Sequence, residues 1–107
     1  MAVVVIQELP EMTTIEMYDA VNERLGVAGD PPDGLIIHTG GADENGRLRV
    51  VDVWESGEAF ERFTNDRLRP AIAAIAQDAG MDPSQMPSPT ITMYEAHDVV
   101  EPAAAAH

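Results

Sequence analysis

The sequence predicts an α+β fold, with a four-stranded antiparallel sheet and two helices on one face of it. Short runs rich in β-branched residues alternate with segments in which apolar residues recur at helical spacing. A strong hairpin-turn signal joins the second and third of those runs. The chain has 107 residues and is 45% hydrophobic, enough for one core. We therefore predict one domain over residues 1–98 and a frayed, alanine-rich tail over 99–107.

The first two predicted elements are a strand over residues 2–8 and a helix over residues 14–25. The strand is built on three valines and an isoleucine, a run typical of a strand buried on both faces or nearly so. Thr13 and Glu16 form a capping-box pattern at the start of the helix, and Gly26 is a typical stop signal. Apolar and aromatic side chains recur at helical spacing through the segment, at Ile15, Tyr18, Val21 and Leu25.

The next two strands are predicted to form an antiparallel hairpin. A loop with two prolines over residues 27–33 leads into a β-rich strand over residues 35–41. Asn45-Gly46 is the turn signal, and residues 48–54 are again β-rich. A two-residue turn centred on Asn45-Gly46 gives one register, and a bulge at Gly40-Gly41 or a one-residue longer turn gives the other.

A second helical region is predicted to begin after Ser56, a good N-cap residue. Pro70 either kinks this helix or opens a second segment over residues 71–79, which Gly80 ends. The apolar side chains of the region are Ala59, Phe60, Phe63 and Leu68.

The last predicted strand covers residues 90–94, where apolar and polar residues alternate. Residues 80–89 before it hold three prolines and two methionines, which indicates an irregular connection, either a lid or a plain loop. The resulting order, strand–helix–strand–strand–helix–strand, is the ferredoxin-like arrangement.

One face of such a sheet has no helix to cover it. Strands this apolar cannot leave that face in water, so another surface must pack against it. For so small a chain the most economical cover is a second copy, with the two sheets facing each other across a shared core. We therefore predict a homodimer.

Composition limits the other partners. Nineteen acidic residues against six arginines and no lysine give a net charge of −13, which repels phosphate backbones and anionic lipid surfaces. We expect neither nucleic acid nor membrane as a partner. The absence of cysteine excludes disulfides, thiolate nucleophiles and cysteine-ligated metals. The apolar run at residues 2–6 is too short for a signal peptide or membrane span, so the expected localisation is cytoplasmic.

The segment VDVWESGEAF, residues 51–60, resembles the dimeric α/β-barrel superfamily, and within it the antibiotic-biosynthesis-monooxygenase-like proteins. In element order the resemblance extends over residues 2–98. It implies two sheets closing into a barrel, with a small-molecule cavity between sheet and helices in each subunit. Members of that superfamily include cofactor-independent oxygenases of polyphenolic substrates, haem-degrading enzymes, lactone isomerases and polyketide cyclases, so the resemblance implies a fold more firmly than an activity.

One of these activities can be compared with the sequence directly. Haem-degrading members carry a second tryptophan nine residues after the first and the haem-ligating histidine ten residues further on. In this sequence those positions are Phe63 and Ala73. Since the axial ligand is absent and no cysteine can replace it, the sequence disfavours haem.

His38 is the candidate general base, because it lies in a predicted strand and imidazole takes up a proton near neutral pH. Alternatively, His38 has a purely structural role, in which it donates one hydrogen bond or lies at the dimer seam. Asp52 is costly to bury unpaired, so it faces solvent, pairs with an arginine, or orients His38. The two-residue turn puts Thr39 opposite Asp52 and His38 on the other face, whereas the shifted register puts His38 and Asp52 on one face.

Two aromatic side chains are candidate substrate-binding residues. Trp54 offers a flat surface and an indole donor for an aromatic molecule, although its place at the end of a strand is also typical of a core aromatic. Tyr94 near the end of the last strand could donate a hydrogen bond to a substrate oxygen. No HxH or HExxH pairing occurs, so the sequence predicts no metal site.

Two function hypotheses follow. The first is an enzyme that acts on an aromatic or polyketide-like molecule as a cofactor-independent monooxygenase. His38 would remove a proton and the delocalised carbanion would reduce dioxygen directly, so no cofactor is expected. The same residues without oxygen would make a cyclase or an isomerase. The second hypothesis is a ligand-binding or stress-associated dimer without catalytic activity.

Overall fold

The computed structural model describes residues 1–82 and 88–100 and shows the predicted ferredoxin-like α+β fold. Its strands are β1 (Val3–Glu8), β2 (Leu35–Ala42), β3 (Leu48–Trp54) and β4 (Thr90–Glu95), and its helices are α1 (Ile15–Leu25), α2 (Gly57–Phe63) and α3 (Arg69–Asp78). The strands pair antiparallel in the order β2-β3-β1-β4, and the helices cover one face of the sheet. None of the described helices is long and apolar enough to span a bilayer.

The helix ends follow local capping chemistry. Ser56 is the N-cap of α2 as predicted, since its hydroxyl accepts the Ala59 N–H at 3.1 Å. The predicted capping box at Thr13 is wrong by one residue. The hydroxyl of Thr14 caps α1 by accepting the Met17 N–H at 3.2 Å. Thr13 belongs instead to the preceding turn, where its N–H bonds to a backbone carbonyl.

A π-helical turn, Thr64–Leu68, joins α2 to α3. Pro70 lies in the first turn of α3 and opens this second helical segment, the second of the two predicted outcomes. The N–H of Arg69 bonds to the Thr64 carbonyl, five residues back, and a widened turn gives the following proline ring room. The guanidinium of Arg67 donates to the Leu25 carbonyl at 2.8 Å and so ties this turn to the end of α1.

The hydrophobic core lies between the sheet and the helices. One contiguous cluster of its buried residues is Val3, Val5, Trp54, Ala59 and Phe60. Part of the connection over 80–89 (residues 83–87) and most of the predicted tail (101–107) lie outside the described residues, so the lid hypothesis stays a prediction.

The turn between β2 and β3 is one residue longer than a two-residue hairpin turn. The Asp43 N–H bonds to the Arg47 carbonyl at 2.9 Å, and three residues lie between them. The Asp43 carboxylate accepts hydrogen bonds from the N–H groups of Asn45 and Arg47 at 2.9 and 3.0 Å, and Gly46 is left-handed with φ of 82°.

The hydrogen bond from the Arg47 N–H is the main reason that the pKa of Asp43 lies below its ordinary value. This turn selects the register in which His38 lies opposite Asp52.

Candidate active site

A cavity of about 190 Å³ lies between the sheet and the helices. It is lined by residues of β1, α1, β2, β3 and the helical region after α2. Most of its wall is apolar, with Leu9, Val21, Leu25, Val50, Leu68 and Ile72 among the lining residues. The polar side chains that reach it are few, and they therefore determine what the cavity can recognise.

His38 and Asp52 form a close pair on the wall of this cavity. His38 Nδ1 lies 2.6 Å from Asp52 Oδ1, and Asp52 is 4% exposed. The second oxygen of the carboxylate accepts the indole N–H of Trp54 at 3.3 Å. Because an ionised carboxylate only accepts hydrogen bonds, Nδ1 carries the proton and Nε2 is the basic nitrogen of the neutral ring.

Tyr18 completes a linear network. Its hydroxyl oxygen on α1 lies 3.1 Å from His38 Nε2 on β2, so both ring nitrogens have partners. The network runs from Tyr18 through His38 to Asp52 and ends at Trp54. All four side chains line the cavity.

The Asp52 carboxylate raises the pKa of His38 above its ordinary value of 6.5. The hydrogen bond from the imidazole to Asp52 is the largest cause, partial burial acts in the opposite direction, and the negative charge of Asp52 adds to the rise. The imidazole is thus a stronger base in the folded protein than in the unfolded chain, which suits a group that takes a proton from a bound molecule.

We predict that this pair makes stability depend on pH. A raised folded pKa means that protonation stabilises the fold, so the contribution is complete below pH 6.5 and is lost as pH rises through the folded pKa. Urea unfolding of the wild type at about pH 5.5 and about pH 8.5 should show this loss, and Asp52→Asn should show much less of it. An equal pH dependence in both proteins would contradict the prediction.

Gln7 is a second polar group in the cavity. It is 8% exposed, lies on β1 two positions along the ladder from the partner of Asp52, and lines the cavity. Its side-chain amide is not among the fully buried polar groups that lack a partner in the described residues. An amide on the wall of an apolar cavity can donate a hydrogen bond to an oxygen of a bound molecule.

The structure brings three of the four predicted site residues together. His38, Asp52 and Trp54 form one hydrogen-bonded group, and Trp54 also packs at 5.9 and 5.3 Å from the ring centres of Phe60 and Phe63. Tyr94 is not part of it. Tyr94 pairs with Val4 on the face of the sheet away from the helices, is 53% exposed and does not line the cavity.

Two cavity residues were not predicted from the sequence. Tyr18 falls at a position of α1 where helical spacing alone explains an aromatic side chain. The feature that could have indicated it is the phenolic hydroxyl, which needs a hydrogen-bond partner when the ring is packed in the interior of the protein. Gln7 interrupts an apolar strand, and that interruption was the available signal.

Among the described residues, no three histidine or carboxylate side chains are placed to hold a metal ion. Three of the polar side chains around the cavity instead form an acid–base network, with one carboxylate, one imidazole and one phenol in sequence.

The comparisons with known proteins bear on the fold. No protein-family model and no curated protein matches the sequence. The solved structure of the cofactor-independent oxygenase SnoaB from Streptomyces nogalater is similar, with a TM-score of 0.61, 16% identity and coverage of 92% of this chain and 96% of that chain. A proposed antibiotic biosynthesis monooxygenase from Deinococcus radiodurans matches with a TM-score of 0.60, 15% identity and coverage of 97% and 100%.

A third similar structure is the heme-degrader MhuD from Mycobacterium tuberculosis, solved with two hemes in its active site. Its TM-score is 0.52 at 23% identity, covering 94% of this chain and all of that one. Identities this low establish architecture and leave chemistry to the site residues. The chain therefore has the ferredoxin-like α+β fold of the antibiotic biosynthesis monooxygenase-like proteins.

Proposed function

We propose that this protein is a cytoplasmic homodimer that binds an aromatic or other hydrophobic small molecule and acts on it as a cofactor-independent monooxygenase. The observation that carries the proposal is the 2.6 Å hydrogen bond between His38 and the buried carboxylate of Asp52, on the wall of an apolar cavity. Asp52 fixes the tautomer and stabilises the imidazolium that forms when His38 accepts a proton.

The cavity supports the choice of ligand class. At about 190 Å³ it is somewhat larger than the roughly 150 Å³ cavity that holds benzene, so a molecule of one or two rings matches it. The apolar wall, which the packed Trp54 ring helps to close, favours a hydrophobic body, and the Gln7 amide offers a bond to a carbonyl or hydroxyl oxygen.

The reaction needs a base more than it needs an electron carrier. A CH₂ group of the substrate that lies between an aromatic ring and a carbonyl group loses a proton to His38. The resulting carbanion is delocalised over that ring and that carbonyl group. It passes electrons to dioxygen and forms a carbon–oxygen bond. Loss of water then leaves a carbonyl at that carbon, so that CH₂ and O₂ become C=O and H₂O.

The proton-transfer step can be tested without knowing the natural substrate. β-Tetralone is a two-ring aromatic ketone with an acidic CH₂ between ring and carbonyl. In D₂O under argon, the wild type should accelerate deuterium exchange at that CH₂ by about a hundredfold or more over buffer, measured by NMR with a chelator present. Admitting oxygen should then start oxygen uptake. Binding of β-tetralone without exchange would contradict the proposed activity and favour a ligand-binding protein.

A homodimer is supported by the face of the sheet away from the helices. Val51 lies there and is 37% exposed, with Val4, Ile6, Ile37 and Val53 on the same face. A second copy of the chain would remove these side chains from water without breaking the internal core.

We predict that Val51→Asp separates the proposed dimer. A carboxylate in an apolar seam meets its symmetry mate and loses water, which costs several kcal/mol, so dimerisation should weaken by more than about a hundredfold. Ile15→Asp adds the same charge at an exposed position at the start of α1 and should leave the dimer intact. Native mass spectrometry reads both states; a wild-type monomer, or a Val51→Asp dimer as stable as wild type, would refute the shared sheet.

A further inference from the structure

Both ring nitrogens of His38 are engaged in hydrogen bonds, although its side chain is 32% exposed. Nδ1 donates to Asp52, and the Tyr18 hydroxyl lies 3.1 Å from Nε2. In the neutral ring Nε2 can only accept, so the Tyr18 O–H donates to it. A bound molecule therefore meets the phenol oxygen first, since both nitrogens of the ring are already engaged.

The position of Tyr18 depends on a missing side chain. Gly40 lies two residues after His38 on β2, and a Cβ at Gly40 would overlap the hydroxyl end of Tyr18. The backbone of Gly40 is not in the left-handed region, so an alanine fits its conformation. The overlap involves the tip of a movable side chain, so alanine at this position should displace the Tyr18 hydroxyl and leave the fold intact.

The neighbouring glycine provides a contrast. A side chain at position 41 would lie on the other face of the sheet, and the backbone of Gly41 is also outside the left-handed region. A methyl group placed on Gly41 would have nothing within 4 Å of it. The free space at Gly40 is thus specific to the approach of Tyr18 to His38.

We infer that Tyr18 is the catalytic residue that touches the bound molecule, and that it relays the proton to His38. The substrate C–H or O–H proton moves to the Tyr18 oxygen as the Tyr18 proton moves to Nε2. The products are the substrate anion, a neutral tyrosine and an imidazolium that still donates Nδ1–H to Asp52. This inference rests on the proposed function, because it names the group through which the His38 base acts.

The geometry favours a relay because the phenol has capacity left. A tyrosine hydroxyl donates one hydrogen bond and accepts others, so Tyr18 can hold its bond to Nε2 and still accept a proton from the cavity side. A linear set of hydrogen bonds that ends on the Asp52 carboxylate lets positive charge settle on His38, next to its counter-charge.

The test uses the full-length protein and the deuterium exchange of β-tetralone. Tyr18→Phe and Gly40→Ala should each lower kcat for exchange by about a hundredfold, with KM changed by less than about threefold, because binding is kept and only the proton path is lost. Gly41→Ala should exchange at the wild-type rate. In ¹⁵N NMR, the Nε2 resonance of His38 should move in Tyr18→Phe and Gly40→Ala and stay in place in Gly41→Ala.

The contrary outcomes are distinct. Exchange by Tyr18→Phe at or above the wild-type rate, while His38→Ala is inactive, would show that Tyr18 only covers the base; the relay fails and the proposed function stands. Wild-type exchange by His38→Ala would overturn the proposed function, and with it the relay.

Discussion

Replacing His38 by alanine is expected to lower the rate of deuterium exchange into β-tetralone by about 10²- to 10⁴-fold, the usual contribution of a positioned general base. Among the described residues no other imidazole lines the cavity, whose lining residues include one carboxylate and one phenol. Asp52→Asn should have an effect of similar size, because an amide can donate to Nδ1 and stabilise the wrong tautomer. Both rates would be measured by NMR in D₂O.

A matched control separates this effect from the loss of any histidine. His97 is exposed and follows β4, so His97→Ala should exchange at the wild-type rate. Circular dichroism and β-tetralone binding would verify that His38→Ala stays folded and keeps its cavity. If His38→Ala retained the wild-type exchange rate, a different group would have to be the base.

Trp54→Ala is expected to produce the largest loss of stability, about 3–5 kcal/mol in the free energy of unfolding. Trp54 is 1% exposed and its ring contacts Phe60 and Phe63, so truncation leaves a cavity at the centre of the core. Truncation also removes the indole donor from the buried Asp52 carboxylate. A domain of this size has about 5–15 kcal/mol in total, so the loss is a large share.

The measurement is urea unfolding followed by circular dichroism, because Trp54 is the only tryptophan and its fluorescence disappears with it. Trp54→Phe keeps an aromatic ring and loses the N–H, so it should cost less than Trp54→Ala, about 1–3 kcal/mol. A cost below about 1 kcal/mol for Trp54→Ala would mean that the side chain is not central to the core.

Local signals in the sequence were enough to predict the element order. β-Branched runs, the Ser56 cap and the Gly26 stop each act within a few residues, and each is confirmed. The start of α1 was misassigned because two adjacent threonines offer the same hydroxyl. The backbone N–H of Thr13 is hydrogen-bonded within the turn after β1, and the hydroxyl of Thr14 is therefore the one that caps α1.

The candidate site depends on contacts that local patterns do not contain. His38 and Asp52 were found as residue types, but their meeting depends on the Asp43 side chain, which holds the turn at three residues. Tyr18 reaches His38 from twenty residues away along the chain. Its approach also needs the space above Gly40, and this contact cannot be predicted from the periodicity of α1 or of β2.

The three residues between Asp43 and Arg47 decide which face of the sheet His38 occupies. The turn begins at Asp43, five residues after His38 and about 16 Å along the strand at a rise of about 3.3 Å per residue. Because β2 is an edge strand, a deletion of one residue there would move only β2 by one step, while β1, β3 and the helices kept their packing. Descendants of this fold can therefore gain or lose an acid–base pair through a single-residue length change in an exposed turn.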